Sequence, residues 1–421
     1  MKSRNSFIRT ARLRVQESLS PAFRVASDFI FWPLAKRIRR NPRRWVFGHE
    51  YGEFAGNPKF LYLWLLASGD VELHWITGSL RTCRRLRRRG WPAALRWSPR
   101  GIYLTLTAGA VFFAHRTSDV NASLVRGAFL VNLWHGVGLK AIQLGWDSGN
   151  TVRRRAKATS AIKRAFYRSF ITDPDIVVTT SDFMQVHFAD QFKFPPDRCP
   201  MLGYPRLDPG RDRALACLAR SYDERLVLRP AGFDEAYLYA PTWRDSNRPF
   251  LEDALPDFAR LDAELARRNA LLYVKLHPAT KDRTPEGSAR IVTWPPGADI
   301  YDYLPDIDGL ITDYSSIFYD FLALRSQPAV IYAFDLEDYL AKDRTLLYPF
   351  EENVVGLWAH NFDELCDVIS RGLRQPEPDA WKADEIRRKF WGDDPGIASA
   401  RIHNFVRARL ASAPSHELHS L

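Results

Sequence analysis

No apolar run in this sequence is long enough to cross a bilayer. The nearest, GIYLTLTAGAVFFA at 101–114, falls short of the roughly 18 residues a spanning helix needs and reads as buried core. No short apolar stretch with a small-residue cleavage site stands near the start, so no secretory signal is expected. Cysteine is scarce. Cys83, Cys199, Cys217 and Cys366 never fall in CxxC spacing, which argues against a zinc site and a disulfide framework and for a reducing, cytosolic setting. The familiar nucleotide and nucleophile loops are also missing. Without GxGxxG after a strand, GxxxxGK[ST] or GxSxG, dehydrogenase, P-loop and hydrolase readings have no anchor.

Positive charge, in contrast, is abundant. Lys and Arg total 60 against 49 Asp and Glu, a formal net charge of +11. The cations bunch in KRIRRNPRR (36–44), RTCRRLRRRG (81–90) and TVRRRAKATSAIKR (151–164). Such runs attract nucleic acid, anionic lipid or an anionic polymer substrate; solvated faces are the plain alternative. They are mixed with Phe29, Phe31, Trp32, Trp45, Trp91 and Trp97, as in a membrane-surface element. The segment 20–40 has an apolar body and a basic end, and Pro33 is expected to interrupt any single helix there.

A chain of 421 residues is long enough for two or three domains. From residue 44, short apolar runs alternate with helix-like segments. RWVFG (44–48), VELHWIT (71–77), GAVFFAH (109–115), GAFLVNLWHG (127–136) and PDIVVTTS (174–181) read as strands, and NPKFLYLWLLAS (57–68) as a helix. A second series follows a polar interval near 205–232. AYLYAPTW (236–243), LLYVKLHP (271–278), ARIVTWPP (289–296), DGLITD (308–313) and PAVIYAFD (328–335) read as strands, with helices at 258–269 and 315–326. This β–α alternation predicts parallel sheets. The economical architecture is an α/β, GT-B-like pair of Rossmann-like domains facing a central cleft.

Ligands of open α/β sheets sit beyond the carboxyl ends of the strands. The residues found there are His135-Gly136, Thr242-Trp243-Arg244, Lys275-Leu276-His277-Pro278 and Thr312-Asp313-Tyr314-Ser315-Ser316. Ser315 and Ser316 open a helix whose N-terminal N–H groups suit phosphate, with Asp320 one turn further in. Ordinary capping by Asp313 or Ser315 is an equal reading. Lys275 and His277 share one side of their strand by alternation. Of the ten histidines, His135 and His277 alone end a strand in a glycine or proline turn. The DPD at 173–175 has the form of a metal-binding DxD but precedes its strand, so no metal site and no cofactor are expected.

LWHGVGLKAIQLGWD, LGYPRLD (202–208), LYAPTWRD (238–245), VKLHP and LITDYSSIFYDFLAL occur in that order. Together they resemble the CDP-glycerol glycerophosphotransferase family, the teichoic-acid primases and polymerases, over roughly 41–410. The resemblance implies transfer of glycerol phosphate, or a related polyol phosphate, from CDP-glycerol to a hydroxyl of a lipid-linked or polymeric acceptor. It implies His135 as general base and His277 at the donor phosphates, with Lys275, Ser315, Ser316, Asp320, Arg206, Thr242 and Trp243 binding substrate. The loop Gly136, Val137, Gly138 and Leu139 departs from the family, which has Thr-Pro where this chain has Val137-Gly138. The backbone donors survive that change and a hydroxyl is lost. The expected layout is a basic segment at 1–40, an acceptor-side domain at 41–215, a CDP-glycerol domain at 216–390, and a closing helix and tail at 391–421. An anionic membrane surface is the expected partner, with the protein peripheral on the cytoplasmic face, and no nucleic acid. A nucleotide-sugar glycosyltransferase of the same fold and a non-catalytic polyanion- or membrane-binding protein are the alternatives.

Overall fold

The structure is a computed structural model. It describes residues 21–412, apart from 143–159, 167, 169–171, 245, 247, 278–279, 281, 283–287, 326, 344–345, 377 and 394–395. Pro278 and most of the 151–164 run therefore lie outside the described residues.

Among the described residues, twelve strands form two sheets. The first holds β1 (Asn41–Phe47), β2 (Glu72–Thr77), β3 (Ala93–Leu95), β4 (Ala108–Phe113), β5 (Phe129–Asn132) and β6 (Ile176–Val177). The second holds β7 (Glu235–Tyr239), β8 (Ala270–Val274), β9 (Ile291–Thr293), β10 (Gly309–Thr312), β11 (Val330–Tyr332) and β12 (Leu357–Ala359). The orders are β3-β2-β1-β4-β5-β6 and β12-β11-β10-β7-β8-β9, and the strand pairs are parallel. Each is the doubly wound order, with its reversal between β1 and β4 or between β7 and β10.

The sequence makes these strands because both faces are covered, which selects near-continuous apolar runs. Every residue of β4, Ala-Gly-Ala-Val-Phe-Phe, is buried. Alternation divides β1: Trp45 and Phe47 join the core beneath the Gly56–Ser68 helix, while Val46 joins Ile76, Leu104 and Val111 on the other face. Gly109 has no room for a side chain, since a Cβ there would lie 2.6 Å from the Asn41 carbonyl oxygen of the neighbouring strand.

The halves share one core that runs from Trp45 and Phe60 through Trp134 and Leu207 to Tyr314 and Phe318. The chain then returns to its first half. The Ala380–Trp391 helix ends with the carbonyls of Lys389 and Phe390 accepting from Ser181 and Thr180. The Ala398–Ser412 helix starts on Asp208, whose carboxylate accepts the N–H groups of Ala398 and Ser399 at 2.8 and 2.9 Å.

Three expectations are corrected. Residues Pro21–Ala35 form one helix despite Pro33; the proline sits in the last turn, where little helix remains to disrupt. The basic runs are only partly solvated. Arg40 is buried and donates to the carbonyls of Ala35, Thr105, Leu124 and Arg126, and Arg44 pairs with Glu72 at 2.9 Å. In the Leu80–Arg88 helix, Arg87 donates to the Ala93 carbonyl and Arg85 lies 3.3 Å from Asp223, while the following Arg89 donates to Ser221. Finally, β5 stops at Asn132 and β8 at Val274, so the WHG residues and Lys275, Leu276 and His277 lie in loops beyond their strands.

Candidate active site

The reversal points of the two sheets decide which loops face each other. In the first half, β1, β4 and β5 are neighbours, and each delivers a histidine just past its carboxyl end: His49, His115 and His135. His135 and His115 stack with ring centroids 4.2 Å apart and planes 19° from parallel; His49 meets His115 edge-on at 5.2 Å. Sequence reasoning missed His49 and His115. The signal was present, an imidazole directly after the apolar runs ending in Phe47 and Phe113, but no Gly-Gly or Pro turn marks it.

The loop that carries His135 is held rigidly. Trp134 adopts φ of 54°, a left-handed conformation costly for a bulky residue. Its N–H donates to Asn132 Oδ1 at 2.9 Å, and buried Asn57 donates to the carbonyls of Leu133 and Trp134 at 3.0 and 2.9 Å. Asn57 Oδ1 in turn accepts the N–H of Arg206 at 3.1 Å. His135 Nδ1 lies 3.1 Å from the Ala114 carbonyl oxygen. A carbonyl only accepts, so in the neutral ring Nδ1 carries the hydrogen and Nε2 keeps a lone pair. The rings of His115 and Trp134 pack against His135, whose remaining side is exposed. Desolvation by the surrounding protein, then the charge of His115, holds His135 well below the usual histidine range; Arg206 and His49 add to this and the Ala114 carbonyl opposes it.

Across the cleft, the Ile317–Leu324 helix begins beside the same loop. A Cβ on Gly136 would lie 3.0 Å from Ser316 Oγ, so a side chain there would press on the serine that opens the facing helix. Ser316 occupies the N-cap position but makes no capping bond. Asp313 does not cap either. Its carboxylate accepts the Thr242 N–H at 2.8 Å and pairs with Arg244 at 2.9 Å, which ties the β7 and β10 loops together. Both serine hydroxyls are therefore left to the cleft. A cavity of about 140 Å³ lies there, lined by His135, Gly136, Gly138, Ser315 and Ser316 among others. Val137 and Leu139 also border it, though both belong to the hydrophobic core.

Arg206 and Asp320 join the halves beneath this cavity. Arg206 Nη2 lies 2.7 Å from both oxygens of Asp320, Tyr301 donates to the same carboxylate at 2.7 Å, and Arg206 Nη1 donates to the His135 carbonyl. Burial opposes the guanidinium charge, but Asp320 outweighs it and pushes Arg206 above its ordinary pKa. The pair is 2% and 0% exposed. Both residues, expected against substrate, pair with each other in the folded chain.

The remaining expected residues form a second group. Trp243 stacks on exposed His277 with centroids 5.2 Å apart, and Lys275 follows β8 with its N–H on the Tyr239 carbonyl. Burial lowers the pKa of Lys275, while Asp299 and Glu53 pull it back. Thr242 Oγ1 and Trp243 Nε1 are buried without a hydrogen-bond partner among the described residues. Asp173 and Asp175 precede β6, at the opposite strand ends, and Asp175 accepts the Leu130 N–H at 2.6 Å.

Two doubly wound sheets, with a histidine-bearing loop on one and a hydroxyl-bearing helix start on the other, give this chain a GT-B-like fold. More narrowly, the chain belongs to the CDP-glycerol:poly(glycerophosphate) glycerophosphotransferase family, whose model matches residues 34–408. The teichoic acid glycerol-phosphate transferase of Staphylococcus aureus is 26% identical over 360 residues, covering 83% of this chain and 89% of the relative. The teichoic acid ribitol-phosphate primase of Bacillus spizizenii is 29% identical over 249 residues, 56% of this chain and 60% of that protein's length. The fold matches the wall teichoic acid polymerase TagF with a TM-score of 0.72 at 19% identity, covering 97% of this chain and 98% of the TagF chain.

Proposed function

We propose that this protein transfers glycerol phosphate, or a related polyol phosphate, from CDP-glycerol to a hydroxyl of a lipid-linked or polymeric acceptor and releases CMP. The observation that carries the reading is the tautomer of His135, with Nδ1 spent on the Ala114 carbonyl and the Nε2 lone pair left free, on a ring that lines the same cavity as Ser315 and Ser316. The acceptor O–H gives its proton to Nε2 as the oxygen bonds to the phosphorus that carries glycerol. The bond from that phosphorus to the bridging oxygen breaks, and the electron pair leaves with CMP. A neutral, positioned imidazole suits the first event. Lys275, His277, and the hydroxyls and N–H groups at Ser315 and Ser316 suit the second, neutralising charge where it develops. Arg206 and Asp320 hold these parts in register. In this reading residues 41–215 carry the acceptor side and 216–390 the donor side.

No helix among the described residues is long and apolar enough to cross a membrane. We place the protein peripherally on the cytoplasmic membrane face, through the Pro21–Ala35 helix. Phe29, Ile30 and Leu34 are 51, 62 and 45% exposed there, beside basic Arg37 and Arg39. The arginines at 81–90 do not extend that surface. Cys83 and Leu86 of their helix pack into the core on one face of the first sheet, while Ala35 packs with Leu106 near the other.

Donor screening tests the assigned chemistry. The protein should release CMP from CDP-glycerol or CDP-ribitol and no UDP from UDP-sugars; UDP release would make it a glycosyltransferase.

A further inference from the structure

The imidazole pair at the centre of the cleft has a feature that the transfer reaction above leaves unused. His115 sits between two carboxylates. Its Nδ1 is 3.6 Å from Asp119 Oδ2, and its Nε2 is 3.4 Å from Glu50 Oε1. Asp119 is buried, and the same Oδ2 accepts the N–H groups of Ala114, His115 and Arg116 at 3.3, 2.9 and 3.4 Å. Three backbone donors fix that carboxylate as an anion whatever occupies the cleft. His115 thus has an anion at each nitrogen and the face of His135 4.2 Å from its ring.

We propose that His115 is a positioning residue for His135: clasped by Asp119 and Glu50 and stacked on its neighbour, it fixes the His135 ring with Nε2 toward the cleft and keeps that nitrogen free of a proton while anionic substrates are bound. The inference rests on the reaction assigned above. A diphosphate donor and a phosphate-rich acceptor both raise the proton affinity of an imidazole placed between them. A protonated base is useless. A positive charge on the stacked ring, which Asp119 and Glu50 favour, opposes that pull, and the nearly parallel stack sets the ring plane that the Ala114 carbonyl alone leaves free to tilt.

The charged and titratable groups around the pair act consistently. On the β1 side are His49, lowered to about 4 by burial and then by His115, and Glu50. On the β4 side are His115, Arg116 and Asp119; although burial works against it, the His115 charge is favoured by Asp119 and Glu50, and its pKa is raised. From the 205–210 turn comes Arg206, neutralised by Asp320. Of the two stacked rings, His115 is the one whose charge its neighbours favour.

The test is the pH dependence of CMP release from CDP-glycerol by the wild type, His115→Phe and Glu50→Gln. Phenylalanine keeps the stack and removes the charge. The acid limb, where His135 gains its proton, should move upward by about one pH unit or more in His115→Phe, the scale on which a neighbouring charge acts. Glu50→Gln should move it the same way by less, and carries the test if His115→Phe does not fold. A second readout needs no substrate. NMR titration of the His135 ring in histidine-labelled protein, assigned with His135→Gln, should show the same upward shift. A limb and a ring titration within about 0.3 unit of wild type, against the roughly one-unit scale of such couplings, would overturn the proposal. A wild type that releases no CMP from any CDP-polyol sinks the assigned reaction instead, and the ring titration then decides the coupling of the two histidines alone.

Discussion

Removing the Asp320 carboxylate should uncouple the two halves of the site. Asp320→Ala leaves Arg206, 2% exposed, with a buried charge and no counter-ion. Two unit charges 2.7 Å apart attract by about 6 kcal/mol at an effective dielectric constant of 20. Breaking a buried pair from one side costs about 3–5 kcal/mol once relaxation is allowed. For a chain of this size that lowers the melting midpoint by about 5 °C. The functional loss has a separate origin. Arg206 also donates to the His135 carbonyl, so a shifted guanidinium moves the base, and displacement by about 1 Å costs on the order of 100-fold in rate. Thermal unfolding and CMP release from CDP-glycerol, measured on the same preparation, read the two effects. A double variant, Arg206→Met with Asp320→Leu, should recover much of the melting temperature, because an apolar pair replaces a buried ion pair at little cost. It should not recover turnover. An Asp320→Ala protein that melts within 1 °C of wild type, against the roughly 5 °C expected, and keeps full activity would refute the reasoning.

The donor group gives a second prediction: Lys275→Ala, His277→Ala and the double Ser315→Ala, Ser316→Ala should each weaken CDP-glycerol binding and slow transfer together, while EDTA leaves wild-type turnover unchanged. Titration calorimetry and initial rates check this, and loss of activity in EDTA would put a metal where these residues are assigned. Asp208→Ala should destabilise the protein by about 2–4 kcal/mol, because two buried N–H groups at the start of the Ala398–Ser412 helix lose their acceptor; denaturant unfolding reads it. On vesicles, Phe29→Asp with Ile30→Asp should cut partitioning onto anionic bilayers by at least about tenfold, and wild-type binding should fall as salt rises. Equal co-sedimentation of variant and wild type would remove the Pro21–Ala35 helix as the docking element.

The periodic parts of the chain were legible in its sequence, and the parts that depend on strand order were not. Buried parallel strands such as Ala108–Phe113 announce themselves as apolar runs, and Gly136 marks where a loop closely approaches the Ser316 side chain. His49 and His115 carry the same strand-end signal as His135, yet only the neighbouring positions of β1, β4 and β5 make the three imidazoles a cluster. Asp313 reads locally as a helix cap; its true partners, Thr242 and Arg244, are some 70 residues away and reach it because β7 and β10 pair. The arginine runs mislead for the same reason. A cation's local sequence says nothing of a carbonyl or carboxylate brought from the far side of the fold, as with Arg40 on Thr105 or Arg85 on Asp223. Pro33 was misread because the cost of a proline depends on its distance from the helix end.

The central claim is that His135 activates the acceptor without holding the donor. The direct measurement is CDP-glycerol affinity and CMP release side by side for wild type and His135→Gln. Turnover should fall by about 10²–10⁴-fold, the contribution of a positioned general base, with the dissociation constant changed less than about threefold. A variant that keeps half its activity, or one that loses donor binding in proportion to rate, would contradict the account.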